Sequence, residues 1–313
     1  MSDFLLIIDS ALYNAIGLSL VTLGVLITIR FLKYPDLTPD GSFTIGACVF
    51  ARAITTGASG LGAVACGLGA GLLCGALTAC FNTKLRIGKL LSSVTVMILS
   101  VACAPYILGC ATIGLLNRST LMNSLLEIDE RSTHKLFGSG IGFLIHPASI
   151  GAGAFLLIIL SVALYLFSNT RWGVGVRYLG SSLDSEPIMG TAAGPYKWLA
   201  LMLGNSLVAA GGILCALTRG GADQGMGLGI VLTGVVALII GESVMRLIGK
   251  KPVLNPAEEI AGALLGTVAY SFIVVIVLYF AGRYIDSRLL TVVMLVLLLA
   301  VLHRNKGRES ELF

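Results

Sequence analysis

Long apolar runs separated by short polar segments occupy most of the sequence. A run of about 20 apolar residues can cross the hydrocarbon core of a bilayer as a helix. The pattern therefore predicts an all-α, polytopic membrane protein with about eight or nine transmembrane helices. The second and the last predicted spans are short. The spans are residues 13–33, 43–57, 60–81, 90–108, 149–168, 196–217, 227–247, 257–281 and 289–303.

Two segments of the chain share the same interrupted pattern. Residues 17–46 and 204–229 each begin as an apolar run with Ser-Leu-Val near its start, and each ends in a polar break that contains aspartate. Another apolar run follows each break directly. Repeated, interrupted hydrophobic segments indicate a transporter whose site is near the bilayer midplane. We therefore predict discontinuous helices in one transmembrane domain, residues 1–313, with halves at approximately 13–108 and 196–303.

The basic residues predict the orientation of the chain. Alternating spans place four groups of Lys and Arg on one side of the membrane, and the positive-inside rule assigns that side to the cytoplasm. These groups lie within residues 84–89, 171–197, 246–251 and 304–308. The first span then runs inward and span 196–217 runs outward. The two halves are therefore predicted to be inverted, as in inverted-repeat transporters.

The composition excludes a soluble domain, because only 12% of the residues are charged, against roughly 25% in soluble proteins. Seven cysteines without a C-x-x-C pair and three scattered histidines give no metal-binding pattern. No P-loop sequence is present. We predict no metal, no cofactor, no nucleic-acid partner and no enzymatic activity.

The N-terminus lacks the basic region of a signal peptide, and Asp9 interrupts its apolar run, which favours a short interfacial helix leading into the first span.

Charged residues in or beside the apolar runs are candidates for function. A charge in hydrocarbon costs at least about 2.5 kcal/mol, so such side chains should face a cavity, a partner or an aqueous boundary. For Asp40 and Asp223, substrate contact and capping of a following helix are both open. Glu242 could anchor a helix end near the cytoplasm. The candidates are Asp36, Asp40, Arg52, Asp223 and Glu242.

Three further segments carry weaker signals. The polar segment 169–195 is longer than a connection between spans requires, which favours a docking element for a cytoplasmic partner. Residues 115–143 have the pattern of an external amphipathic helix or a solvated loop. Gly67, Gly71 and Gly75 recur every four residues, which is typical of closely packed membrane helices.

The sequence PDLTPDGSF at residues 35–43 resembles the P-D-L-T-x-D-G-S-F signature of the permease subunits of one group of ABC importers. That group is related to the branched-chain amino acid permeases. Residues 204–242 are similar to its second signature, including Asn205 and the Gly225-Met226-Gly227 element. The sequence TRWGVGVRYLG at 170–180 resembles its coupling segment. Departures at Thr218-Arg219 and Leu183 leave the substrate open.

The resemblance implies a membrane-spanning permease subunit in the cytoplasmic (inner) membrane of a bacterium. It implies cytoplasmic ATP-binding subunits that hydrolyse ATP, an extracytoplasmic solute-binding protein and two permease subunits, for which we expect a homodimer of this chain in the lipid bilayer. The expected solute is small and polar, an amino acid or a related compound, moved by alternating access. The coupling candidates are Arg171, Gly175, Arg177 and Gly190.

The two breaks and the resemblance together define the candidate substrate path. Its residues are Asp36, Thr38, Asp40, Ser42, Phe43, Asn205, Asp223, Gln224 and Met226. The alternative function is an ion-coupled secondary transporter, in which Asp40 or Asp223 would be a coupling carboxylate. A membrane enzyme is a third class, for which the sequence offers no plausible catalytic set.

Overall fold

The computed structural model describes residues 2–115, 147–181, 193–249, 255–281 and 286–310. Ten α-helices account for most of these described residues. They are α1 (Ser2–Val25), α2 (Thr38–Thr55), α3 (Gly60–Thr83), α4 (Lys89–Leu108), α5 (Pro147–Asn169), α6 (Arg171–Ser181), α7 (Ala193–Arg219), α8 (Ile230–Gly249), α9 (Pro256–Ala281) and α10 (Ser287–Ser310). Helix α1 continues directly into a π-helical segment, Leu26–Phe31.

Seven of the described helices are long and apolar enough to cross a membrane, namely α1 with its π-helical segment, α3, α4, α5, α7, α8 and α9. The prediction of an all-α, polytopic membrane protein is confirmed. The two short predicted spans do not combine the required length with the required apolar composition. Span 43–57 corresponds to α2, whose 18 residues are mostly buried inside the protein. Span 289–303 falls in α10, whose apolar part ends at Ala300.

The N-terminal residues are helical, as predicted. Helix α1 begins at Ser2 and runs without a break into the first span, and the interfacial position of its first residues stays a prediction. Asp9 lies within α1, and its side chain is buried against the rest of the protein.

Helix α7 lies at the centre of the structure and packs against α1, α2 and α3. Gly24 of α1 faces Gly204, and Gly17 faces Gly211. Residue numbers rise along one helix as they fall along the other, so α1 and α7 are antiparallel. This direction is the one that inverted halves require, although the division into halves itself stays a prediction.

The three regularly spaced glycines of α3 also face α7, as their pattern predicted. A methyl group added at Gly71 would lie 2.5 Å from the Cβ of Ala209 and 2.7 Å from the carbonyl oxygen of Asn205. Small residues at such positions allow two helix backbones to approach closely. The approach holds α7 in a fixed register against α3.

Two short strands were not predicted from the sequence. Strand β1 (Thr112–Gly114) follows α4, and strand β2 (Gly221–Asp223) follows α7; they pair in antiparallel register with Thr112 opposite Asp223. Strands of three residues are too short to give a periodic pattern. Their pairing fixes the start of the second break beside the end of α4.

Candidate functional site

The first break, residues 32–37, reaches the middle of helix α7. The carboxylate of Asp36 accepts a hydrogen bond from the Thr38 amide at 3.0 Å and another from Asn205 Nδ2 at 3.0 Å. Asn205 is the thirteenth of the 27 residues of α7, which spans Ala193–Arg219. The break therefore lies about halfway along the central helix, and its backbone hydrogen bonds are irregular, as from the Asp36 amide to the Tyr34 carbonyl at 2.8 Å.

Asn205 connects several polar side chains at this point. Its Oδ1 accepts a hydrogen bond from Ser42 Oγ at 2.6 Å, and its Nδ2 also donates to the Leu201 carbonyl at 2.9 Å. The hydroxyls of Thr38 and Thr78 are 2.8 Å apart and share a hydrogen bond. We call Asp36, Thr38, Ser42, Thr78 and Asn205 the Asn205 network.

All five side chains of the Asn205 network are fully buried. The hydrogen bonds to Asp36 come from two neutral donors, and Asp36 forms no ion pair within the described ranges. A buried polar network whose members are all satisfied holds its helices in one arrangement. Breaking any one link would leave a buried polar group without its partner, which is costly.

The second break, residues 220–229, is bound to helix α2. Oδ2 of Asp40 accepts a hydrogen bond from the Gly229 amide at 2.9 Å, and Oδ1 accepts one from the Val231 amide at 2.8 Å. The Gly227 amide donates to Thr44 Oγ1 at 3.1 Å. Asp40 therefore caps α8, where a negative charge at the helix N-terminus is favourable. The sequence had suggested a cap for the helix directly following Asp40, whereas the capped helix begins 190 residues later, at Ile230.

The remaining candidates are placed differently. Asp223 accepts a hydrogen bond from the Gly225 amide at 2.8 Å, which forms a local turn within the second break. Phe43 is buried in the apolar core, and Gln224 is exposed. Met226 is buried and lines a cavity of about 480 Å³. The structure thus brings Asp36, Thr38, Ser42 and Asn205 together and leaves the others outside that network.

A second polar cluster contains residues that sequence reasoning missed. Arg30, in the π-helical segment, lies 2.7 Å from Glu242 and 3.2 Å from Glu259. Glu242 also pairs with Arg246 of its own helix. Glu242 therefore ties α8 to α1, in agreement with its predicted role as an anchor. The sequence could have identified Arg30 as a candidate, since it is a charged residue inside the predicted span 13–33.

The predicted coupling segment 169–195 is described only as far as Ser181 and again from Ala193. Its first part forms α6, which is joined to α5 by a hydrogen bond from Arg177 Nη2 to the Ser168 carbonyl at 3.0 Å. Gly175 faces the ring of Tyr196, and Arg171 is exposed. Gly190 lies outside the described residues, as does the predicted external segment apart from Leu115.

The cap at Asp40 gives a direct prediction. We expect Asp40→Ala to lower the free energy of unfolding by about 1 kcal/mol, because two amides at the start of α8 lose their acceptor. Asp40→Asn should lower the free energy of unfolding by less, since the side-chain amide oxygen can still accept one of the two hydrogen bonds. Thermal unfolding of the purified variants measures the difference.

The same two substitutions at Asp223 are the matched control, because its carboxylate accepts a hydrogen bond inside its own turn. If Asp40→Ala unfolds at the wild-type temperature, the cap does not stabilise the protein. If Asp40→Asn is folded but does not transport, its charge has a role beyond capping.

Comparison with known proteins agrees with this architecture. Residues 7–302 match the family model described as "Branched-chain amino acid transport system / permease component". The chain is 28% identical to the tyrosine transport system permease protein of Clostridioides difficile (strain R20291) over 302 residues, which cover 95% of this chain and 92% of that protein. It is also 28% identical to an uncharacterized protein of Rickettsia prowazekii (strain Madrid E), over 96% of this chain and 99% of that protein.

A solved structure has a similar fold. It is an inward-facing metal-chelate type ABC transporter, and it superposes with a TM-score of 0.50 at 17% sequence identity, over 96% of this chain and 85% of that chain. At this level of identity the likeness concerns the fold alone.

Proposed function

The chain belongs to the family of branched-chain amino acid transport system permease components, and on that premise we propose that it is the membrane-spanning subunit of an ABC importer. In this proposal it moves a small polar solute, an amino acid or a related compound, across the cytoplasmic membrane of a bacterium. The tyrosine transport permease among its relatives supports the amino acid class. Movement occurs by alternating access.

The observation that carries the proposal is that both breaks are bound beside the first turns of α2, the first to the middle of α7 and the second to α2 itself. Asp36 and Ser42 bind Asn205 of α7, while Asp40 binds the start of α8. Non-helical backbone at membrane depth is tolerated where protein or water satisfies its polar groups, and transporters use such breaks at their substrate sites. We propose that the solute passes along this junction when its helices move apart.

The proposed path keeps the residues expected from the sequence, with different roles. The Asn205 network would open and close the junction, and Asp40 would keep α8 attached to α2. Asp223 and Met226 lie on the second break and would line the route toward the external side. Phe43 would support α2 from the core, and Gln224 would lie at the external surface.

ATP hydrolysis is proposed to occur on separate subunits, because this sequence contains no P-loop. We propose that these subunits dock on segment 169–195, which includes Arg171, Gly175, Arg177 and Gly190. Two ATP-binding subunits require two docking segments, which a homodimer of this chain would provide with two-fold symmetry. A solute-binding protein would deliver the solute from the external side.

Purification of the tagged chain from its native membrane tests the proposed assembly. We expect intact-mass measurement to find two copies of this chain together with two ATP-binding subunits. One copy beside a different permease would exclude the homodimer and keep the importer. A chain that purifies without any ATP-binding subunit, and whose transport follows an ion gradient, would contradict the importer and identify a secondary transporter.

A further inference from the structure

The backbone between α1 and the first break departs from α-helical geometry at two points. Helix α1 continues as the π-helical segment Leu26–Phe31, and Lys33 directly after it has a φ of 50°, in the left-handed region that non-glycine residues rarely adopt. π-helical turns occur frequently at functional sites, and residues in strained backbone conformations cluster at switch regions. We call residues 26–33 the irregular segment. It ends just before Asp36, which binds the Asn205 network.

Arg30 fastens the irregular segment to two other helices. Its Nη2 lies 2.7 Å from Oε1 of Glu242 in α8, and its Nε lies 3.2 Å from Oε1 of Glu259 in α9. The three side chains are 15–38% exposed, and ion pairs that solvent reaches contribute little net stability. The planar guanidinium nonetheless forms directional hydrogen bonds, so it fixes the position of its partners. These pairs therefore define where Arg30 lies more than they stabilise the fold.

Helix α6 contacts the end of the irregular segment. A methyl group added at Gly180 would collide with the carbonyl group of Phe31 and would lie 2.9 Å from the carbonyl carbon of Leu32. Backbone meets backbone here, so the contact has no flexible side chain to absorb a displacement. Arg177 of α6 also lies close enough to Glu259 for their opposite charges to attract each other. A displacement of α6 therefore reaches the irregular segment directly.

The irregular segment is thus held at three places: by α6, by the ion pairs of Arg30, and beyond its end by the hydrogen bond between Asp36 and Asn205. While α8 and α9 hold Arg30, movement of α6 turns the segment about Arg30 and displaces Asp36. Once the ion pairs are lost, the irregular backbone follows α6 without a fixed point. The movement then no longer reaches the Asn205 network.

We propose that Arg30 is a positioning residue of the transport cycle, the pivot through which movement of α6 opens and closes the Asn205 network. Arg30 acts through Asp36 and not by contact with the solute. This inference rests on the proposed function, because the ATP-binding subunits that dock on segment 169–195 would move α6. It adds a residue outside the proposed path that determines whether ATP hydrolysis drives transport.

Vesicles that contain this chain with its co-purified ATP-binding subunits and solute-binding protein test the pivot. Uptake of a radiolabelled mixture of proteinogenic amino acids and release of inorganic phosphate are measured on the same vesicles. We expect Arg30→Gln to raise the phosphate released per amino acid taken up roughly 5-fold or more, the lower end of typical coupling between two sites. Glu259→Gln leaves Arg30 one of its two partners and should raise the same ratio by less. It provides the test if Arg30→Gln does not fold.

Arg246→Gln is the matched control. Arg246 also pairs with Oε1 of Glu242, but both residues belong to α8, so this pair does not reach the irregular segment. We expect the wild-type ratio of phosphate to amino acid for this variant. Hydrogen exchange of residues 32–37 separates transmission from stability. ATP should change this exchange in the wild type and in Arg246→Gln, but not in Arg30→Gln.

Two results would overturn the inference. One is an equal ratio of phosphate to amino acid for the wild type, Arg30→Gln and Glu259→Gln. The other is an ATP-dependent change in the exchange of residues 32–37 that Arg30→Gln leaves as it is in the wild type. Either result, in a complex that transports with ATP, leaves the importer proposal standing. If no ATP-binding subunit co-purifies with the chain, the importer proposal fails and this inference fails with it.

Discussion

Replacing Asn205 with leucine should abolish transport and reduce the amount of folded protein. The leucine removes two donated hydrogen bonds, to Asp36 and to the Leu201 carbonyl, and the bond accepted from Ser42. Asp36 and Ser42 are fully buried, so water does not replace the lost partner. A buried polar group left without a partner costs about 1–3 kcal/mol, and a charged one costs more. We therefore expect a loss of several kcal/mol, which is a large part of the stability of a typical domain.

Asn14→Leu provides the matched control for this substitution. Asn14 also donates to the carbonyl four residues earlier, that of Ser10, at 3.0 Å, but its side chain is exposed. Fluorescence-detected size exclusion after heating compares the folded fractions, and uptake assays compare the activities. An Asn205→Leu variant that is as stable and active as Asn14→Leu would show that the Asn205 network neither holds the junction together nor takes part in transport.

Gly71→Leu should separate helix α3 from helix α7 and leave little folded protein. The first atom of the new side chain would already lie 2.5 Å from Ala209 Cβ and 2.7 Å from the Asn205 carbonyl oxygen. Helix backbone provides part of this contact, so the neighbours cannot simply rotate away. Overpacking of a tight contact costs about 1–3 kcal/mol, and sometimes more. The displaced segment also carries Asn205, so we expect transport to fail in any protein that does fold.

Gly69→Leu is the control, because a side chain at that position of the same helix meets no atom within 4 Å. Both variants gain the same helix propensity and the same apolar surface, so the difference between them isolates the contact with α7. Thermal unfolding in detergent measures it. Equal midpoints for the two variants would mean that the close approach of α3 and α7 is not needed for stability.

Much of the fold could be predicted from the sequence because apolar length alone identifies a membrane span. The predictions were least accurate for elements that the length of an apolar run does not identify. Helix α2 is mostly buried within the protein, so its sequence does not need to be as apolar as a span facing lipid. Strands β1 and β2 are too short to produce a pattern, and their pairing joins residues far apart in the chain.

The candidate site was harder to predict, because its contacts join residues that are distant in sequence. Asp40 was correctly identified as a possible cap, but only the fold shows that it caps α8. Asn205 became a candidate for the substrate path only through a family resemblance, since a single amide in an apolar run carries no periodic signal. Thr78 gave no signal at all: a threonine within a membrane helix can bond to its own backbone, as Thr78 also does to the Cys74 carbonyl.

The most direct measurement of the central claim is uptake of radiolabelled proteinogenic amino acids into vesicles. The vesicles would contain this chain with its co-purified ATP-binding subunits, ATP inside and the solute-binding protein outside. The account predicts accumulation that requires internal ATP and the solute-binding protein and that persists when ionophores remove ion gradients. Accumulation that occurs without ATP and disappears when the ion gradients are removed would contradict it.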